Sequence, residues 1–178
     1  MTELTNNKLL LVSCCAPCSC GVIKHLAEQG VNLTVLFYNP NIRPFEEYRK
    51  RADENKKVCS LYNVPFVELE YDNERWCMLT AGLHDLPERN KRCDICFEMR
   101  LKRAFKYALE NGFEQVSSVL GVSRYKDFDQ VNRAAERAGG NSIYRPINWR
   151  KGGLQELSAA LKEELSLYNQ TYCGCKPR

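Results

Sequence analysis

The chain has 178 residues, near-average apolar and charged content and a formal net charge of only +4. These values predict one globular domain over residues 1–178 with a sizeable core, and exclude a disordered chain. The charge neither requires nor forbids a nucleic-acid partner.

KLLLVS (8–13) is a short apolar run, read as a buried strand. A helix follows, with Pro17 suited to its first turn, Val22, Ile23, Leu26 and Ala27 on its apolar face, and Gly30 as its stop. NLTVLFY (32–38) is the second strand, and NPNIRP a loop, because its prolines and asparagines disfavour regular structure. Residues 45–62 read as a charged helix, and VPFVELE (64–70) as a third strand. A short helix around Trp76 to Leu79 precedes a polar loop reaching residue 92. Residues 93–112 form a strong helix, with Phe97, Leu101, Ala104, Phe105 and Ala108 on one face and Gly112 at its end. QVSSVL (115–120) is a fourth strand, 127–140 a helix stopped at Gly139, SIYR (142–145) a fifth strand, and 154–167 the last helix before the tail. Alternating strands and helices imply an α/β fold with a parallel sheet flanked by helices. Ligands of such sheets sit beyond the carboxyl ends of the strands, where the loops after the first, second and fourth strands gather.

No apolar run approaches the roughly 18 residues of a membrane span. The start, MTELTNNKLLLVSCC, lacks the basic and long apolar regions of a signal peptide. A cytoplasmic protein with no membrane partner is expected. In that reducing setting ten cysteines point to metal ligation or catalysis rather than to disulfides. Cys93 and Cys96 are three apart at a helix start, so both sulfurs share a face, and the helix N-terminus is expected to lower their pKa values. Two core cysteines and a redox-active dithiol pair are the alternatives. Cys173 and Cys175 flank Gly174, which permits a tight turn between them. The tail 168–178 is expected to fold back so that these thiols are ligated rather than left open to oxidation. Cys14 and Cys15 are adjacent, and neighbours in extended backbone point to opposite sides, so they suit two centres better than one ion. Cys18, one helical turn after Cys14, is a further metal candidate. Cys20 and Cys59 read as packing residues, and Cys77 has no better claim.

The paired motifs supply six thiols and Cys18 a seventh. One tetrahedral zinc or one four-iron cluster takes at most four. Either some sulfurs are catalytic or two metal centres stand side by side. All-thiolate ligation favours iron–sulfur or structural zinc. No P-loop, G-x-G-x-x-G or G-x-S-x-G motif is present.

SCCAPCS, FYNPNIRPFEEYRKR, RCDICFEMRL, GVSRYKDFDQVN, NWRKGG and LYNQTYCGC occur in this order. Together the six motifs, spanning nearly the whole chain, resemble the QueH-type epoxyqueuosine reductases. That resemblance implies a fold similar to the HUP and PP-loop nucleotide-binding domains. It implies two-electron, two-proton removal of the epoxide oxygen of epoxyqueuosine, at the wobble position of tRNA, to give queuosine. It further implies a [4Fe-4S] cluster, a neighbouring mononuclear metal (iron) and a low-potential electron donor. SCCAPC stands where PP-loop ATPases carry a phosphate-binding S-G-G-x-D-S turn, so no ATP pyrophosphatase activity is expected.

On this reading Cys14, Cys15, Cys93, Cys96, Cys173 and Cys175 are assigned collectively to the metal assembly, with Cys18 a candidate for the second metal. Tyr38, Asn39, Ser123 and Arg124, at strand ends, are candidates for binding substrate or donating protons, against a plain loop role. Among the basic clusters, Arg49 to Arg51 are one candidate for tRNA contact. Arg89, Lys91 and Arg92 beside Cys93, with Arg150 and Lys151, are the preferred one. The rivals are a zinc-bearing RNA-binding or RNA-modifying protein without redox role, and a thiol–disulfide oxidoreductase using Cys93 and Cys96.

Overall fold

The computed structural model describes residues 7–176. Pro177 and Arg178, the end of the expected tail, lie outside the described residues. The elements run β1 (Leu9–Ser13), α1 (Ala16–Glu28), β2 (Leu33–Phe37), α2 (Phe45–Leu61), β3 (Phe66–Glu68), α3 (Asn73–Leu79), α4 (Lys91–Glu110), β4 (Gln115–Ser118), α5 (Phe128–Arg137) and α6 (Leu154–Glu164). Among the described residues the strands form one parallel sheet in the order β3-β2-β1-β4.

The sheet is central because β1 is apolar on both faces. Leu9 and Leu11 enter a core with α1, α2 and α6. Leu10 and Val12, alternating to the other side, enter a second core with α4 and α5. The order reverses between β1 and β4, since β2 and β3 lie on one side of β1 and β4 on the other. Such a switch point opens a crevice at the carboxyl ends of the strands.

The expected fifth strand is a correction. Residues 142–145 contribute a single parallel bridge, Val116 to Tyr144. The chain is still turning there, as the Ile143 and Tyr144 amides both donate to the Gly140 carbonyl. The next residue is Pro146, which has no N–H to extend a ladder. The other elements stand where expected, with β3, β4 and α6 shorter and α4 starting two residues earlier.

Candidate metal centre

β1 ends at Ser13, and its end is fixed from both sides. Ser13 Oγ donates to Asn55 Oδ1 at 2.6 Å, and the Asn39 amide donates to the Ser13 carbonyl at 3.0 Å. Cys14 therefore leaves the strand at a defined point. Cys15, in extended backbone, caps α1, and Pro17 sits in the first turn. Helix formation brings Cys18 back over the cap, its amide donating to the Cys15 carbonyl at 3.2 Å.

The outcome differs from the opposite-sides expectation. Cys14 Sγ and Cys15 Sγ lie 3.6 Å apart, and the sulfurs of Cys14, Cys15 and Cys18 all fall within 4.8 Å of one another. The strand alternation does not apply, because the chain has already bent from strand into helix. Cys18, the weaker candidate from sequence, is an equal member of this triad. Hydrogen bonds from Cys15 and then Cys18 hold the Cys14 thiol well below its ordinary pKa, aided by the charges of Arg100 and Arg51. The same bonds push the Cys15 and Cys18 thiols up.

A second group forms from α4 and the tail. Cys93 and Cys96 are buried on the inner face of α4. Cys175 and Cys173 pack with Cys96, Trp76, Met99 and the half-buried Cys77. A hydrogen bond from Cys175 lowers the Cys173 thiol to about 5; burial opposes this, and the Lys126 charge assists it. The helix-terminus expectation for Cys93 and Cys96 fails. Burial pushes both up, outweighing nearby positive charge.

A cavity of about 240 Å³ is lined by Cys14, Cys15 and Cys18 and, from the second group, by Cys173. Arg51, Arg100, Glu88, Ser123, Tyr125 and Lys126 complete much of the wall. The tail contributes Asn169 to Cys173 to the lining. Buried Arg51 secures the tail, donating to the Tyr172 and Cys173 carbonyls at 3.0 Å each while ion-paired to Glu47 at 2.7 Å. Arg43 adds a bond to the Cys175 carbonyl at 3.0 Å. Gly174 has φ +114, and a Cβ there would meet the Ile42 side chain at 2.8 Å, so the turn between the two thiols requires glycine.

The remaining predicted site residues divide. Ser123 lines the cavity, and Arg124 stands beside it, bonded to the Tyr125 hydroxyl at 2.8 Å. Tyr38 and Asn39 do not line it. Tyr38 lines a separate cavity of about 640 Å³ with Asp72 and Arg103, and burial raises its hydroxyl pKa to about 12. Asn39 is fully buried, and its side-chain oxygen accepts from Arg100. Both brace Arg100, Asn39 through its side-chain oxygen and Tyr38 through its main-chain carbonyl, which accepts from Arg100 at 3.3 Å.

Several of the expected tRNA contacts are also corrected. Arg92 is only 2% exposed and donates to the Leu83 and His84 carbonyls, so it braces a loop and is not free for phosphate. Arg150 is spent on the carbonyls of Val122, Ser123 and Lys126. Arg51 is the tail clamp, and Arg49 is ion-paired to Asp53 and Glu68. Lys50 lies over the Tyr168 ring. Lys91, Lys151 and Arg89 are exposed, though Arg89 donates to the Arg124 and Tyr125 carbonyls.

Cys20 and Cys59 are core residues, as expected, with burial pushing Cys59 to about 12. All ten cysteines are free thiols. The sequence reading missed Arg100, Lys126 and Gln170, whose amide lies 2.7 Å from Cys15 Sγ. Arg100 had a signal, standing four residues after Cys96 on the same helix face. Gln170 had none.

The donor set fits a sulfur-ligated metal assembly. Cys14, Cys15, Cys18 and Cys173 line one cavity, Cys96 and Cys175 pack with Cys173, and Cys93 lies within reach of its charge, while Arg51, Arg100 and Lys126 supply the positive charge that thiolates require. The indole N–H of fully buried Trp76 finds no oxygen or nitrogen acceptor and lies against Cys96, whose thiolate it would stabilise.

A family model described as "Epoxyqueuosine reductase QueH" matches residues 9–176. A protein of that name from Histophilus somni (strain 129Pt) is 43% identical over 173 residues, covering 96% of this chain and 71% of the relative. Its counterpart from Acinetobacter baylyi is 42% identical, covering 95% and 79%, and that from Thermotoga maritima 32% identical, covering 94% and 88%. Among solved structures, the U34-tRNA thiolase NcsA from Methanococcus maripaludis with its [4Fe-4S] cluster aligns with TM-score 0.58 at 16% identity. That alignment covers 98% of this chain and 62% of the thiolase chain, and speaks to the fold alone. No helix among the described residues is long and apolar enough to cross a membrane.

Proposed function

The chain belongs to the epoxyqueuosine reductase QueH family, and from that premise we propose that it deoxygenates epoxyqueuosine within tRNA, in the cytoplasm, with metals held by its seven clustered cysteines. The reaction breaks both carbon–oxygen bonds of the epoxide, forms a carbon–carbon double bond and releases the oxygen as water. It consumes two electrons, from a low-potential donor, and two protons. The observation that carries the reading is the convergence of Cys14, Cys15, Cys18 and Cys173 on one cavity, with Cys93, Cys96 and Cys175 behind Cys173. Four of these thiols would suffice to hold a four-iron cluster, and three would then be left to hold an adjacent iron. When bound, the cluster supplies single electrons and the iron Lewis acidity.

The protein's own part is positional and electrostatic. Arg51 and Arg100 stand against Cys14, and Lys126 against Cys173, so each thiol group is balanced by fixed positive charge before substrate arrives. Lys126, paired to Glu88 at 2.8 Å, holds a proton at Nζ on the cavity wall. Ser123 offers a hydroxyl on the same side. The tail from Asn169 to Cys173 covers the cavity and restricts water. Lys91 and Lys151 remain candidates for phosphate contact, and such contact weakens as salt rises.

Metal and sulfide analysis of anaerobically purified protein tests the ligand assignment. Iron with acid-labile sulfide and a broad brown absorbance is expected, with iron lost in Cys96→Ala and in Cys14→Ala. Zinc at one per chain with no sulfide, or full iron content in Cys96→Ala, would overturn it.

A further inference from the structure

The loop after β4, residues 122–127, is held far more firmly than a connection needs. Arg150 donates to the Val122, Ser123 and Lys126 carbonyls at 3.1, 2.7 and 2.7 Å. Arg89 reaches in from the opposite loop to the Arg124 and Tyr125 carbonyls at 2.6 and 3.1 Å. The Lys126–Glu88 ion pair ties the same two loops at 2.8 Å. Within the loop the Lys126 amide donates to the Ser123 carbonyl at 2.9 Å, and the Tyr125 amide lies 3.3 Å from Ser123 Oγ. Three cationic side chains thus fix the backbone on either side of one residue, Tyr125.

Tyr125 is 59% exposed, and of the exposed large apolar side chains among the described residues it alone lines the thiol cavity. Its ring stands at the rim, beside the Arg124 guanidinium, whose carbon is 4.9 Å from the ring centroid and whose Nη2 donates to the hydroxyl at 2.8 Å. Rigid backbone, a locally oriented ring and adjacent guanidinium groups are what a single-stranded nucleic acid meets on its binding proteins. Every base offers a π-face, and the flanking cations take the phosphates. Because the ring is more than half exposed, it presents a face to what stays outside the cavity.

We propose that Tyr125 is a stacking platform for an unpaired base adjacent to the modified nucleotide, held in place by Arg89 and Arg150 and flanked by Arg124. The inference rests on the reading of the substrate as a nucleoside within RNA. It adds the residue by which the enzyme favours the RNA-borne substrate over the free nucleoside. The modified base leaves the loop stack to reach the thiols, and the ring replaces the stacking its neighbour loses.

The test measures binding of the metal-loaded protein to an unmodified anticodon stem-loop RNA, and turnover of the epoxyqueuosine-bearing stem-loop. Tyr125→Ala is expected to weaken binding of the unmodified RNA roughly 5- to 150-fold, the range for loss of one base–aromatic stack. Tyr125→Phe and Tyr125→Trp retain binding. In turnover, Tyr125→Ala raises KM for the stem-loop by a larger factor than it changes KM for the free epoxyqueuosine nucleoside. An abasic site beside the modified position weakens wild type to a similar degree and adds nothing further to Tyr125→Ala. Wild-type affinity in Tyr125→Ala would overturn the proposal. So would a Tyr125→Phe variant as weak as the alanine, which would assign the effect to the hydroxyl and Arg124. Binding that depends on Tyr125 in a protein showing no turnover would support the platform while rejecting the reductase reading.

Discussion

Arg51 shows how one side chain can serve tail, site and charge together. It is 3% exposed, ion-paired to Glu47, bonded to two tail carbonyls, and close enough to Cys14 to help hold that thiol down. Arg51→Met should therefore cost about 3–5 kcal/mol, as for any buried pair losing one partner. Its loss should concentrate in the tail: hydrogen exchange at residues 168–176 should rise by far more than exchange in β1. Arg51→Lys should recover only part, because an ammonium cannot reach two carbonyls and a carboxylate in one planar fork. Equal exchange in tail and sheet, or no change in the denaturation midpoint, would argue against the clamp. Sequence placed Arg51 in a basic run and read it as a possible phosphate contact. Its true role was invisible because it depends on residues about 120 positions away. The thiols were more legible: Cys14, Cys15 and Cys18 stand together, and Cys173 lines the same cavity. What could not be read was Cys14 beside Cys15 on one side, because a single bend at the strand end decides it.

At the scale of elements, the parallel order was readable from alternating apolar strands and amphipathic helices, since β1 is too apolar to be anything but central. SIYR failed as a strand because a turn at Gly140 and a proline at 146 left room for one bridge. The packing of α1 on α6 was not readable. It depends on Gly21, where a Cβ would lie 2.9 Å from the Leu154 carbonyl and collide with the Ser158 hydroxyl. α1 carries Cys15 and Cys18 at its start, so this close approach sets where two of the thiols stand. Gly21→Ala should destabilise by about 1–3 kcal/mol through overpacking, read as a lower denaturation midpoint. Ser158→Gly in the same chain should recover part of that, since it removes the nearest obstacle but not the carbonyl. Failure of the alanine variant to lose stability would show that α6 can shift without cost.

Across the whole molecule, the reversal of strand order between β1 and β4 explains why one crevice collects Cys14 and Cys15 from one loop and Ser123, Tyr125 and Lys126 from another. The helix α4 and the returning tail then bring the second thiol group to the same place. The fold class and the position of the site at the strand ends follow from the sequence pattern. The tail's route does not, because it is set by arginine bonds to backbone carbonyls, which leave no periodic signal. The central claim is that these thiols, loaded with metal, make an epoxide reductase. The most direct measurement is nucleoside mass spectrometry of epoxyqueuosine-containing tRNA after anaerobic incubation with the metal-loaded protein and a low-potential reductant. Conversion to queuosine is predicted, with none in the Cys96→Ala variant. Unchanged epoxyqueuosine, with iron and sulfide shown to be intact in the protein, would contradict the account.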